Sequence, residues 1–266
     1  MSGIIDFHTH AFPDHLAPAA IPALEEKGEV KAVLDGTLAA LLASMDQAEV
    51  EQSVLCSIAT KPSQYEAILD WSREIRSERI LPFPSVHPAD PLALERLAII
   101  KAEGFKGIKL HPYYQEFFLD EERLFPIYEK LCAENLLLVM HTGFDIGFPR
   151  IRCADPGRVL AVINRFPDLK LVATHLGAWD LWQEVEEQLI GRPLYMDISF
   201  ALQFLAPEAA RRLILRHPPE YILFGSDSPW AGQQGTSELL RGLNLGRKRE
   251  TLIFRTNGLR LLESAG

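Results

Sequence analysis

The sequence is short of cysteine, with three in 266 residues, Cys56, Cys132 and Cys153, widely spaced and in no Cys-x-x-Cys pair. An odd, scattered set fits a reducing compartment rather than a disulfide framework, and these thiols are expected to be core or surface residues without chemistry. Positive charge is also scarce: Lys and Arg number 27 against 36 Asp and Glu, a net charge of −9. Nucleic-acid binding rests on clustered Lys and Arg, so it is disfavoured, and a small-molecule substrate is expected. No uninterrupted apolar run approaches the length of a membrane span. The opening residues Met1-Ser2-Gly3-Ile4-Ile5-Asp6 lack a basic stretch followed by an apolar one, so no secretory signal is expected and the cytoplasm is the expected compartment. No Ser/Gly-rich linker, low-complexity tract or close repeat divides the chain, and one domain over residues 1–266 is expected.

What is there is an alternation of short apolar runs with longer helical patterns. The runs are Ile4 to His8, Ser53 to Cys56, Leu81 to Val86, Phe105 to Leu110, Leu136 to Met140, Leu171 to Ala173, Leu194 to Ile198 and Ile222 to Phe224. Their Val, Ile, Leu and Phe content is that of parallel strands covered on both faces. Between them lie helix signals. Asp90-Pro91 and Asp155-Pro156 each read as a cap followed by proline at the first helical position, and Ser63 with Glu66 reads as a capping box. A Gly-rich loop at Gly232 to Gly235 is expected ahead of a closing helix within Glu250 to Ser264. Eight strands interleaved with about eight helices predict an α/β fold, a (β/α)8 TIM barrel. The rival, an open doubly wound sheet, usually brings Gly-x-Gly-x-x-Gly after the first strand, where this chain has His8-Thr9-His10.

In a parallel barrel the C-terminal strand ends converge on one mouth. Five of the predicted ends carry ligand-type or charged residues there: His8 and His10, Lys109 and His111, His141, His175, and Asp227. Neutral imidazoles with a carboxylate are the usual ligands of Zn2+ and similar cations, and such a set leaves a position for water. The bound cation would lower that water's pKa towards roughly 7, and Asp227 would take its proton and return it to the leaving group. One histidine at a strand end is usually structural. The joint pattern at one end of the repeat points to a metal centre.

The ordered set Asp6-Phe7-His8-Thr9-His10, Lys109-Leu110-His111-Pro112, His141-Thr142-Gly143, Thr174-His175-Leu176-Gly177 and Gly225-Ser226-Asp227-Ser228-Pro229 resembles the amidohydrolase superfamily. Within it the chain is similar to the amidohydrolase-related branch that includes aminocarboxymuconate semialdehyde decarboxylase, resorcylate decarboxylases and pyrone dicarboxylate lactonase. The likeness runs from the first strand to Asn257-Gly258-Leu259-Arg260-Leu261. It implies that His8, His10, His141 and Asp227 hold one divalent metal, usually zinc, with His175 beside it. It also implies an alternative with two ions, in which His175 is a ligand and a carboxylated Lys109 bridges.

The leading expectation is therefore a metal-dependent hydrolase acting on an amide, lactone or ester of a small acid, with Asp227 and His175 catalytic. The alternative is non-oxidative decarboxylation of a cyclic or unsaturated acid on the same site. A TatD-type nuclease is disfavoured by Gly107-Ile108-Lys109, where those enzymes have Gly-Glu, and a non-catalytic binding protein by the filled ligand set. Lys109, Arg150, Arg152 and Trp230 are the expected substrate-binding residues, the guanidinium forks suiting an anionic group. Tyr113, Tyr114, Phe144 and Phe148 are candidates for an apolar wall. His15 is a candidate for reaching the mouth, and His87 and His111, each before proline, are read as loop or supporting residues. His217 is read as surface, Asp6 as structural, and Asp197 and Ser199 as either site supports or helix caps. Neither membrane nor nucleic acid is an expected partner, and a homo-oligomer is left open.

Overall fold

Eight parallel strands form in chain order: β1 (Ile4–Thr9), β2 (Val50–Cys56), β3 (Ile80–Phe83), β4 (Gly107–Leu110), β5 (Leu137–Met140), β6 (Leu171–Ala173), β7 (Tyr195–Asp197) and β8 (Ile222–Leu223). They are seen in a computed structural model that describes residues 3–265, so Met1 and Ser2 of the signal-sequence expectation lie outside the described residues. Pairing runs β1-β2-β3 and β4-β5-β6-β7-β8 as two arcs. Two seams join the arcs into a TIM barrel. At one, Lys109 N donates to Pro84 O at 3.0 Å. At the other, Phe7 N donates to Phe224 O and Asp227 N to His8 O, both at 2.8 Å, beside a Thr9–Ser228 bridge.

Alternation along the strands sorts side chains to the two faces. Ile5, Phe7, Val54, Phe83, Leu137, Val139, Val172 and Leu223 fill the barrel, and Leu261 and Leu262 close its lower end. Ile108, Leu110, Leu138 and Met140 point outward to the helical layer.

That layer comprises α1 (Ala17–Gly28), α2 (Leu38–Gln47), α3 (Tyr65–Ile75), α4 (Ala93–Ala102), α5 (Phe125–Ala133), α6 (Pro156–Arg165), α7 (Trp182–Gln188), α8 (Pro207–Arg216), α9 (Gln233–Gly242), α10 (Arg247–Thr251) and α11 (Asn257–Glu263). α6 begins as expected, with Asp155 as cap accepting from Gly157 N at 3.1 Å, and buries Val159 and Val162. Three local expectations are corrected. The segment from Gly232 is a helix, with Gly232 its cap, because Thr236, Ser237 and Leu240 form a buried face. Ahead of α3 a 3-10 turn runs over Pro62–Gln64, closed by the Gln64 side chain accepting from Lys61 N at 3.1 Å, and the Ser63/Glu66 pair forms no capping box. Asp90 holds a turn by accepting from Leu92 N at 2.9 Å, and α4 starts only at Ala93. Among the described residues no helix is long and apolar enough to cross a membrane.

Candidate metal centre

The strand ends deliver the polar residues to one mouth by local departures from regular pleating. Phe7 faces the barrel core and His8, next to it, faces the site. Two consecutive residues on the inner side require the register irregularity that β1 shows between Asp6 and Thr9. Asp6, fully buried, fixes this kink by accepting from His8 N, Ser226 N, Ser226 Oγ and Gln233 Nε2 at 2.6–3.1 Å. After β6 the chain turns through left-handed His175 and Leu176, φ 59° and 54°, and after β8 through Asp227 at φ 68°. Such backbone is strained for residues with a side chain, and the strain sits at two of the predicted site residues. His175 N and Asp227 N are held in place by Asp197 Oδ1 at 3.1 Å and His8 O at 2.8 Å.

Three donor atoms converge. His8 Nε2 lies 3.2 Å from His10 Nε2, and Asp227 Oδ1 lies 3.4 and 3.3 Å from the two nitrogens. Two donors each about 2.0–2.1 Å from a tetrahedral ion stand roughly 3.3–3.4 Å apart, so the spacing fits a cation. The far nitrogens decide which atoms are bare. A carbonyl oxygen only accepts, so His10 Nδ1, 2.8 Å from Cys56 O, carries the hydrogen and Nε2 a lone pair. Ser199 Oγ donates to Asp197 Oδ1 and accepts from His8 Nδ1 at 2.9 Å, which leaves His8 Nε2 bare as well. Asp197 Oδ2 is 3.2 Å from that Nδ1 without the alignment of a hydrogen bond. Lys109 Nζ donates to His8 Nε2 at 2.9 Å.

His141 and His175 form a second pair of oriented imidazoles. His141 Nε2 donates to Phe144 O at 3.0 Å and His175 Nδ1 to Ser199 O at 2.9 Å. Their remaining nitrogens, His141 Nδ1 and His175 Nε2, face each other at 3.1 Å with no hydrogen between them when both rings are neutral. Facing lone pairs repel, and a cation or a shared proton resolves them. Protons are disfavoured here: burial, and after it the Lys109 ammonium, holds His8 well below the ordinary imidazole range, and burial does the same to His141. Burial also lowers Lys109. Burial alone would raise Asp227, but His8, His10 and His175 outweigh it and keep this carboxyl well below the usual carboxylate range. The donor set has the spacing and the bare lone pairs of a site that could hold a divalent cation.

The structure brings His8, His10, Asp227 and Lys109 together, with His175 adjoining. His141 joins through His175 and also stacks on His111, ring centroids 4.1 Å apart. His111, expected only as a support, is in the cluster: its Nε2 is 3.3 Å from Asp145 Oδ2. Asp145 was missed. It lies in the irregular segment after β5, where no periodicity marks it. Ser199 and Asp197 prove to be site supports. His87 accepts from Ala89 N at 3.1 Å in its own turn, and exposed His15 does not line the cavity. His217 is buried rather than at the surface, its Nε2 donating to Leu194 O at 2.8 Å.

Above the cluster opens a cavity of about 640 Å3. Lys109, Tyr114, Phe144 and Trp230 line it, while Phe148 packs edge-on against Tyr114 and is itself packed by Tyr113. Arg150 and Arg152 correct the expectation for them. Neither lines the cavity, because Arg150 pairs with Asp180 at 2.6 Å and Arg152 with Glu184 at 2.6 and 2.9 Å on the outer surface. Cys56 touches the cavity, its thiol pushed up to about 12 by burial.

The family model described as amidohydrolase matches residues 5–263 of the chain. No curated protein matches the sequence. Among solved structures, an uncharacterised TIM-barrel protein from Bordetella bronchiseptica is similar at 20% identity and TM-score 0.79, covering 98% of this chain and 99% of its own. 5-Carboxyvanillate decarboxylase from Sphingomonas paucimobilis is similar at 14% identity and TM-score 0.73, covering 99% of each chain. A dihydroxybenzoic acid decarboxylase from a Polaromonas species, with bound manganese and the inhibitor 2-nitroresorcinol, is similar at 14% identity and TM-score 0.73, covering 99% of this chain and 97% of its own.

Proposed function

We propose that this chain, an enzyme that belongs to the amidohydrolase family, works as a single barrel domain and is a metal-dependent carboxy-lyase that removes CO2 from a ring-hydroxylated aromatic acid. Of the two reactions expected from the sequence, this alternative is better supported than hydrolysis. The observation that carries it is the apolar cavity set directly on the His8, His10, Asp227 and Lys109 cluster. Loss of a carboxylate as CO2 exchanges a localised charge at the ring for one spread over a phenolate, which an apolar site favours, whereas hydrolysis must admit water. Relatives of the same fold that act on carboxylated phenols add support.

In this reading His8, His10, Asp227 and His141 hold one divalent cation, zinc by its nitrogen-rich donor set, with manganese, bound in the Polaromonas relative, the second to test. When bound, the cation supplies a Lewis acid that favours the phenolate form of the substrate's hydroxyl. Asp227, ionised at rest, takes the hydroxyl proton on a carboxylate oxygen and returns it to the ring carbon that bears the carboxylate. The bond to that carboxylate then breaks, its electron pair restores the ring, and CO2 leaves. A hydroxybenzoate thus becomes the phenolate of the decarboxylated ring, with the charge conserved. Lys109 Nζ pairs with the carboxylate before it leaves, and His175, locked through Nδ1, orients the ring hydroxyl.

The test is to load the purified protein with zinc or manganese and present 2,6-dihydroxybenzoate, of which 2-nitroresorcinol is the nitro analogue, alongside aryl lactones. CO2 release that needs metal, and that Asp227→Asn abolishes together with metal retention by elemental analysis, is the expected result. Ring opening of lactones without CO2 from any acid would overturn it in favour of hydrolysis.

A further inference from the structure

The cavity is larger than a hydroxybenzoate requires. A void of about 150 Å3 holds one benzene ring, and this one measures about 640 Å3. Its titratable residues gather at the floor, where Lys109 is the only Lys or Arg of the lining and Asp145 and Asp227 its only carboxylates. The remainder is a largely apolar limb beside β1 and β2, in which Ser57, Thr60 and Gln64 are the polar side chains. One wall is the face of α1 carrying Ala20, Ala23 and Leu24, and the other is the face of α3 carrying Ala67, Ile68 and Trp71. α1 has little to do with the core, since only Ala17 and Ile21 of it are buried. Its inner face is instead small and apolar, which widens the limb. No Lys or Arg lines that limb, so a second anionic group there would lose its water without a charge partner and is selected against.

Resting on the carboxy-lyase reading, we infer that the substrate is a monocarboxylic hydroxylated aromatic acid bearing an alkyl chain of several carbons. The ring and carboxylate lie over His8, Asp227 and Lys109, and the chain runs between α1 and α3. Selectivity then comes from the chain: each methylene buried between the helices tightens binding by about fourfold.

The experiment measures binding of the decarboxylated products, resorcinol and its 5-propyl, 5-pentyl and 5-heptyl derivatives, to the zinc-loaded full chain by tryptophan fluorescence, since Trp71, Trp179 and Trp230 line the cavity. It is paired with CO2 release from 2,6-dihydroxybenzoate and its 4-alkyl derivatives. Affinity that climbs about fourfold per methylene, and a climb that Ala23→Trp flattens, is expected. Ala67→Trp, from the facing helix, reads the same contact should Ala23→Trp fail to fold. Affinity constant within twofold from resorcinol to 5-heptylresorcinol overturns the inference, as does an undiminished climb in a folded blocking variant. CO2 release without chain dependence leaves the carboxy-lyase reading standing and removes the chain. A climb in affinity without CO2 from any acid does the reverse.

Discussion

Replacing Gly143 by alanine tests how the β5 and β6 loops hold the site. Gly143 sits at φ 89°, and a Cβ there would lie 2.0 Å from Trp179 N, 2.4 Å from Trp179 O and 2.6 Å from Ala178 C. All three are backbone atoms that no rotamer change can move. Non-bonded carbons need about 3.5 Å, so one loop must retreat by more than about an ångström. That retreat breaks the hydrogen bonds from Trp179 N to Thr142 O at 2.9 Å and from Phe144 N to Trp179 O at 3.0 Å. The left-handed backbone costs about 1–2 kcal/mol for a residue with a Cβ, and each stranded backbone partner about 1–3 kcal/mol. The loss is therefore roughly 3–8 kcal/mol, and at about 2–4 °C per kcal/mol Tm should fall by at least about 6 °C. Gly104→Ala is the control, because Gly104 has φ 77° and nothing within 4 Å of the new Cβ, so only the backbone cost remains. Differential scanning calorimetry on both variants separates collision from conformation. Equal Tm values for the two would refute the collision. Because His141 lies two residues before Gly143, zinc affinity should fall in Gly143→Ala and hold in Gly104→Ala.

Ser199→Ala removes the hydroxyl that locks His8 Nδ1, and zinc affinity measured against a competing chelator should drop about 10–100-fold with the circular dichroism spectrum unchanged. Unaltered affinity would remove Ser199 from the support of the ligand. His217 is buried at the other end of the barrel and burial lowers it below its ordinary 6.5. The unfolded chain takes up that proton first as the pH falls. The stability His217 contributes is thus complete above pH 6.5 and lost as the pH falls through its folded value. Wild type should lose stability relative to His217→Gln as the pH falls below about 6.5 in urea titrations, and a pH-independent gap would contradict this. Arg150→Ala and Arg152→Ala should each leave kcat/KM within about twofold and stability within about 1 kcal/mol, since both sit in exposed ion pairs. A tenfold rise in KM would return a guanidinium to the substrate.

The barrel was legible because strands buried on both faces leave continuous apolar runs, and Leu171–Ala173 begins and ends where those runs say. His8, His10, His141, His175 and Asp227 stood out because strand ends are the one place where such a repeat must turn polar. Asp145 carried no such mark, and the proline after His111 argued for a loop without saying that the loop folds over His141. α1 was equally hidden: its alanines face a cavity rather than a core, so the helix has no apolar stripe of the usual kind. His217 precedes two prolines and reads as a surface turn, yet the turn tucks beneath β7, where Leu194 O takes its hydrogen.

The two seams of the barrel have a consequence for how long the protein lasts. His8 and His10 belong to the three-stranded arc, whereas Lys109, His141, His175 and Asp227 belong to the five-stranded one. An ion held jointly by His8 and Asp227 rivets the arcs at the seam between β1 and β8, and parting them then costs its binding free energy as well. Escape of the ion and exchange of the amide hydrogens at Phe7 and Asp227 are by this account the same breathing motion, read once with a chelator and once with deuterium.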